Sequence, residues 1–248
     1  MRAILTYHSI DASGSPVSLS LETFAQHAAF LAGGRVKVLP LADLPALPDE
    51  QDAVALTFDD AFRNFASQAM PVLREKALPA TVFVVSDAVG ATNAWGGRNA
   101  PGIPTLPLMD WDELQDVAAA GFDIGAHTRR HLHLTTLSPS QLQDETAGCV
   151  DRIQAELGHR PLRFAYPYGD VNESVADHAR KMFAHSVTTE FRPLANDDPA
   201  LLPRLDAFYS QRPRALDDWG SPAFRRRIWM RLQARRVREL VAPTGRDR

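Results

Sequence analysis

The stretch ALTFDDAFRNF, residues 55–65, sets two adjacent carboxylates, Asp59 and Asp60, at the end of an apolar run. Ala53 to Phe58 ahead of them are rich in strand formers, and Ala61 to Leu73 behind them take helical spacing, so the pair stands at a strand-to-helix junction. Successive side chains on an extended backbone diverge, so the two carboxylates can share one pocket edge and do different work. The plainer reading of an isolated Asp-Asp is that one of them caps the following helix.

The same alternation runs through the chain. Strand-like runs read Ala3–Ser9, Lys37–Leu39, Val54–Phe58, Thr81–Val85, Phe122–Ala126, Arg163–Tyr166, Ser186–Thr189 and Leu205–Tyr209, with helical text between them. This pattern predicts βαβ units and a parallel sheet or barrel. Ser138-Pro139-Ser140-Gln141 offers a helix start with a cap, a first-turn proline and a capping-box Gln, and Gly158 supplies the stop.

At 248 residues and 45% hydrophobic content, the chain suits one sizeable α/β domain. The opening MRAILTYHSI reads as neither a signal peptide nor a membrane span, and the single cysteine, Cys149, excludes an internal disulfide, so the expectation is a cytoplasmic protein. The net charge of -3 hides an asymmetry. From Ser221 onward nine Arg face Glu239 and Asp247, a balance of +7 that leaves -10 for residues 1–220. An acidic body argues against a nucleic-acid partner, because phosphates call for a positive face.

Two further motifs fall at strand ends. GAHTRRHLHL, residues 125–134, places His127 and His131 four apart after an apolar run, and two imidazoles with a carboxylate from another strand make a metal site with open positions. RFAYPYGD, residues 163–170, is a strand entering a tight turn, where the main-chain N–H of Tyr168 can be aimed at an oxyanion. Carboxyl ends of parallel strands gather ligand sites, which favours function over isolated surface histidines. The long Gly/Pro-rich loop 90–107, carrying Trp95, is a candidate wall of that site, with a mobile surface loop as the alternative.

Together TFDD, HTRRH and YPYG resemble the polysaccharide deacetylases, carbohydrate esterase family 4, over roughly residues 3–209. The linking text LPATVFVV, LMDWDELQDVAAAGFDIGAHT and DPALLPRLDAF shares in the resemblance, and LTYHSI is similar to the branch that includes the poly-N-acetylglucosamine deacetylases. The resemblance implies an α/β fold, a distorted (β/α) barrel with about seven parallel strands, over a catalytic region 1–210. It implies Asp59 as general base and a divalent metal, zinc by default with cobalt, nickel or iron admitted, on Asp60, His127 and His131. The resemblance further implies the Tyr168 N–H as oxyanion donor and, from the branch that LTYHSI resembles, His8 as the acid that protonates the departing amine, in keeping with the lack of a C-terminal Leu-x-His motif.

Departures from the family pattern mark where this chain must find its own solutions. Ala61 replaces the usual glycine after the two aspartates, which matters only if its φ is positive. Ala165 stands where many members carry the arginine that orients the base, so Arg163 or Arg204 is expected to take that place on the substrate side of the site. Trp95 can stack on a sugar ring. His133 competes with His131 as a ligand, and motif spacing favours His131. The implied activity is hydrolysis of an N-acetyl group on an amino sugar in a glycan or lipid-linked saccharide. The alternatives are a related C–N hydrolase acting on formyl or a small amide, and an inactive glycan-binding protein.

The tail 211–248 lies beyond the resemblance. Over SPAFRRRIWMRLQARRVREL, residues 221–240, helical spacing puts Arg227, Arg231, Arg235 and Arg238 on one arc beside a stripe of Phe224, Ile228 and Leu232. Trp229, Met230, Val237 and Leu240 fall outside the stripe, among Arg225, Arg226 and Arg236. Peripheral contact with an anionic membrane at the inner face and packing on the acidic body are both open readings.

Overall fold

The computed structural model describes residues 1–97, 99 and 101–241, with backbone alone for 236 and 238–241. Each apolar run becomes a strand: β1 (Arg2–Tyr7), β4 (Lys37–Val38), β5 (Ala53–Phe58), β6 (Thr81–Val84), β7 (Asp123–Ala126), β8 (Arg163–Ala165), β9 (His185–Val187) and β10 (Leu205–Asp206). Two further short strands, β2 (Ser9–Ile10) and β3 (Ser18–Leu19), pair with each other.

All pairs in the main sheet are parallel, in the order β10-β1-β5-β6-β7-β8-β9, with β4 beside the first residues of β5. The longest register runs from Arg2 opposite Ala53 to Tyr7 opposite Phe58. The sheet curls until its edges approach. Leu202, just ahead of β10, donates to Ser186 O at 3.0 Å and accepts from Thr188 N at 2.9 Å, which ties the β9 side to the β10 side. The result is the expected distorted (β/α) barrel.

The strands β1, β5 and β6 are buried along their whole length, as parallel strands covered on both faces must be. A small cluster including Ile4, Ala53, Ala55, Phe83, Ala165 and Val187 fills the barrel interior. Outside it pack α1 (Leu21–Ala32), α2 (Met70–Glu75, continuing a π-helical turn Phe65–Ala69), α3 (Trp111–Ala119), α4 (Pro139–Leu157) and α5 (Glu173–Met182). The signals at Ser138 and Gly158 act as read: Ser138 and Gln141 form a reciprocal capping box, and Gly158 ends α4 at φ 77.

The tail forms α6 (Pro222–Val241) and lies on the body. Phe224 and Ile228 are buried in the main core beside Leu216 and Trp219. The arginine arc is engaged: Arg227 forms two hydrogen bonds with Asp218 at 2.6 Å, Arg231 stands 4.2 Å over the Tyr209 ring, and Arg235 stands 5.7 Å over Phe191. Packing on the body therefore accounts for the apolar stripe and these three arginines. The side chains of Arg236, Arg238 and Leu240 lie outside the described residues. Trp229, Met230 and Val237 are exposed on the outward face with Arg225 and Arg226. Among the described residues, no helix is long and apolar enough to cross a membrane.

Candidate active site

One cavity of about 890 Å³ opens where the strand ends meet. His8 follows β1, Asp59 and Asp60 follow β5, His127 and His131 follow β7, and Tyr166 and Tyr168 follow β8; all line it. The carboxyl ends of the strands supply the chemistry, as the topology requires.

The two aspartates have separate partners, and neither caps a helix. Asp59 is 4% exposed and meets Arg204 in a two-pronged pair, Nη1 to Oδ1 and Nη2 to Oδ2 at 2.7 Å each. Arg204 precedes β10 and is itself buried, held by Nε to Thr188 O at 2.9 Å and Nη1 to Thr57 Oγ1 at 3.2 Å. Burial would raise the Asp59 carboxyl, but the charge and hydrogen bonds of Arg204, with His8 and His127, hold it far below the usual carboxylate range. Of the two arginines the sequence offered, Arg204 alone reaches Asp59. Arg163 stands at the amino end of β8 and is bonded by Nε at 2.8 Å to Asp123, which begins β7. Register separates the two: β10 is short and begins level with Leu5, close to the carboxyl end of β1, so the Arg204 side chain starts near the site although it precedes its strand.

Asp60 turns the other way. Among the described residues its Oδ1 is buried with no hydrogen-bond partner, and it lies 3.5 Å from Nε2 of both His127 and His131. One donor atom from each of the three lies within 4.8 Å of the others. His127 donates from Nδ1 to Ala165 O at 2.7 Å, which turns Nε2 toward Asp60. Burial pushes the His131 imidazole down to about 3, so it is neutral at ordinary pH. An orphaned carboxylate oxygen facing two imidazole nitrogens fits a divalent cation, and this donor set suits zinc and its neighbours.

The His127–His131 turn is shaped by residues that the motif reading passed over. Thr128 and His131 both take positive φ, 65° and 61°, and Thr128 Oγ1 accepts from His131 N at 3.0 Å. Glu145 of α4, fully buried, accepts from Arg129 N and Arg130 N at 3.1 and 2.9 Å through Oε2. Asp60, Ala61 and Tyr168 add φ values of 68°, 54° and 59°, so five left-handed non-glycine residues cluster here. Ala61 thus does occupy a conformation that favours glycine, at a cost of roughly 1 kcal/mol.

The remaining predicted residues fall as follows. His8 Nε2 lies 3.8 Å from Asp59 Oδ2. Tyr168 sets its ring edge against His131, centroids 4.5 Å apart. His133 stacks on Tyr168 and faces Asp170 at 3.6 Å, away from the ligand trio. Trp95 lines the cavity and lays one ring face on His131. Loop 90–107 forms a wall through Asn93, Trp95, Gly96, Asn99, Pro101 and Ile103, and buried Asn93 pins it by accepting from Leu106 N at 2.8 Å.

The Arg204 pair carries a pH signature. A depressed carboxylate contributes stability that is complete above its unfolded pKa, about 3.9, and is lost as the pH falls through the folded value. Arg204→Met leaves burial of Asp59 opposed only by His8 and His127, so the variant should be less stable by about 3–5 kcal/mol at pH 7. The deficit should narrow below about pH 4. Urea unfolding at the two pH values reads this directly; an equal deficit at both would mean that Arg204 acts by packing alone.

The sequence profile described as polysaccharide deacetylase matches residues 46–186, more than half of the chain. YxkH of Bacillus subtilis (strain 168), provisionally named a polysaccharide deacetylase, is 28% identical over 193 residues, covering 75% of this chain and 64% of its own length. The poly-beta-1,6-N-acetyl-D-glucosamine N-deacetylase of Staphylococcus epidermidis is 25% identical over 130 residues, 49% of this chain and 42% of its own. The chain thus spans less than two thirds of either relative. Among solved structures, the Streptococcus pyogenes deacetylase PplD in complex with acetate superposes with TM-score 0.74 at 20% identity, covering 89% of this chain and 98% of that one. IcaB from Ammonifex degensii gives 0.68 at 23% identity, covering 83% and 93%; at such identities the likeness is one of fold. The profile match, with the TFDD and His127–His131 segments inside it, places the chain in the polysaccharide deacetylase family.

Proposed function

We propose that this chain is a metal-dependent hydrolase that removes an N-acetyl group from an amino sugar. One observation carries the reading: adjacent carboxylates are separated in role, Asp59 locked to Arg204 and Asp60 left facing two imidazoles. A divalent ion held by Asp60, His127 and His131, zinc by default with cobalt, nickel or iron also suited, would polarise the amide carbonyl and lower the pKa of water beside it to about 7. Asp59, kept ionised by Arg204, takes the proton of the attacking water. His8, lining the same cavity and next to Asp59, gives a proton to the departing amine. The Tyr168 turn offers its main-chain N–H to the developing oxyanion. Trp95, Tyr168, Val17 and Ile103 give the cavity apolar walls suited to sugar faces and an acetyl methyl. The name of the staphylococcal relative supports N-acetyl over formyl as the group removed.

The outward face of α6 supports a location for this activity. Trp229 is 60% exposed and stands with Met230, Val237, Arg225 and Arg226, a mixture suited to the surface of an anionic membrane. A saccharide carried on a lipid would be presented there.

Four measurements test these statements. Incubation with N-acetylated sugars that are free, nucleotide-linked or lipid-linked should release acetate from at least one; formate, or no product from any, overturns the acyl assignment. Asp59→Asn should keep metal and lose about 100- to 10,000-fold in turnover, whereas Asp60→Asn should lose metal as well. Equal metal loss in both would sink the division of roles. His8→Ala should slow amide hydrolysis far more than hydrolysis of an activated aryl ester, whose leaving group needs little protonation; matched losses would make His8 structural. Co-sedimentation with anionic liposomes should occur at low salt, with each exposed arginine contributing about 1 kcal/mol, and should disappear in Trp229→Glu/Val237→Glu. Binding that is equal with zwitterionic liposomes, or absent, refutes the membrane contact.

A further inference from the structure

The two imidazoles facing Asp60 are held in different ways. His127 has the usual arrangement for a metal ligand, its second nitrogen donating to a backbone carbonyl, Ala165 O, at 2.7 Å. His131 has nothing of the kind: its Nδ1 is buried without a hydrogen-bond partner among the described residues. Rings surround it instead. Trp95 lies on its face, centroids 4.5 Å apart and planes 19° from parallel, while Tyr168 and His127 meet it edge-on at 4.5 and 4.8 Å.

We infer that Trp95 is a positioning residue for His131, doing by ring stacking what the Ala165 carbonyl does for His127 by hydrogen bonding. The inference rests on the reading of Asp60, His127 and His131 as the metal site. The torsion that turns an imidazole about its own axis has broad minima, so a ring without a hydrogen bond needs another constraint to keep Nε2 on target. A flat indole against one face supplies it, because tilting the imidazole would lift it off the stack. Tyr168 and His127, meeting the ring at 75° and 80°, oppose sliding in its plane. The residue that fixes the ligand thereby belongs to loop 90–107, the same segment that walls the substrate cavity. Seating of this loop and affinity for metal are therefore coupled, and by reciprocity metal binding must hold the loop in place.

The test is the dissociation constant for zinc and for cobalt, measured by chelator competition on the full chain with Trp95 replaced by Phe, Leu or Ala. Trp95→Phe keeps a flat ring and should stay within about threefold of the parent. Trp95→Leu keeps bulk without a flat face and, like Trp95→Ala, should bind about tenfold more weakly, the size of effect seen when the orienting partner of a metal ligand is lost. The visible spectrum of the cobalt form should change in Leu and Ala and not in Phe. Parent-like affinity in Trp95→Ala, or an equal loss in Phe and Ala, overturns the inference. Asp60→Asn is the control on the underlying reading. If it binds metal like the parent, the site itself has been misassigned and the positioning role falls with it; if it loses metal while the Trp95 variants do not, only the positioning role falls.

Discussion

The buried pairing of Arg204 with Asp59 is the constraint on which the rest of the site depends. Two charges taken out of water are tolerated because each prong has a partner: both carboxylate oxygens meet guanidinium nitrogens, and the remaining Arg204 donors reach Thr188 O and Thr57 Oγ1. Those partners lie on β5 and just past β9, and Arg204 leads into β10. Arg204 therefore bonds across the seam where the curled sheet closes, and it orients the Asp59 carboxylate in the same stroke. It also frees Asp60. With Asp59 fully engaged, the carboxylate left facing the two imidazoles is that of Asp60.

Backbone strain is gathered where this arrangement needs it. Five non-glycine residues with positive φ, from Asp60 to Tyr168, stand around one cavity, and hydrogen bonds from elsewhere hold several of them: Ala61 O accepts from Met109 N, and Thr128 O accepts from Ser86 N. Buried Glu145 secures the two residues between Thr128 and His131. Each such residue costs energy that packing must offset, and rigid placement of the donor atoms is what that outlay secures.

Much of this was legible in the sequence because strand runs and motif spacing are local signals. All eight main-sheet strands, both ends of α4 and the trio Asp60, His127 and His131 fall where the text placed them. What escaped were the residues whose meaning is set by distant partners. Arg163 and Arg204 look alike in a sequence; only the register of their strands and the partners each meets, Asp123 for one and Asp59 for the other, tell them apart. Glu145 reads as one more helix-surface carboxylate until the turn above α4 is known. The tail's helical period was visible, but which face meets the body could be decided only by the presence of Tyr209, Phe191 and Asp218 as partners for its arginines.

Arg204 also bears on how this barrel could be exchanged or trimmed. The segment that the family profile recognises ends at residue 186, short of the arginine that pairs with Asp59. A fragment cut there would carry the whole ligand trio and still present Asp59 as a bare buried charge beside an unclosed seam. The working unit is therefore longer than its recognisable core, and any graft or minimised version has to carry the stretch through β10 with it.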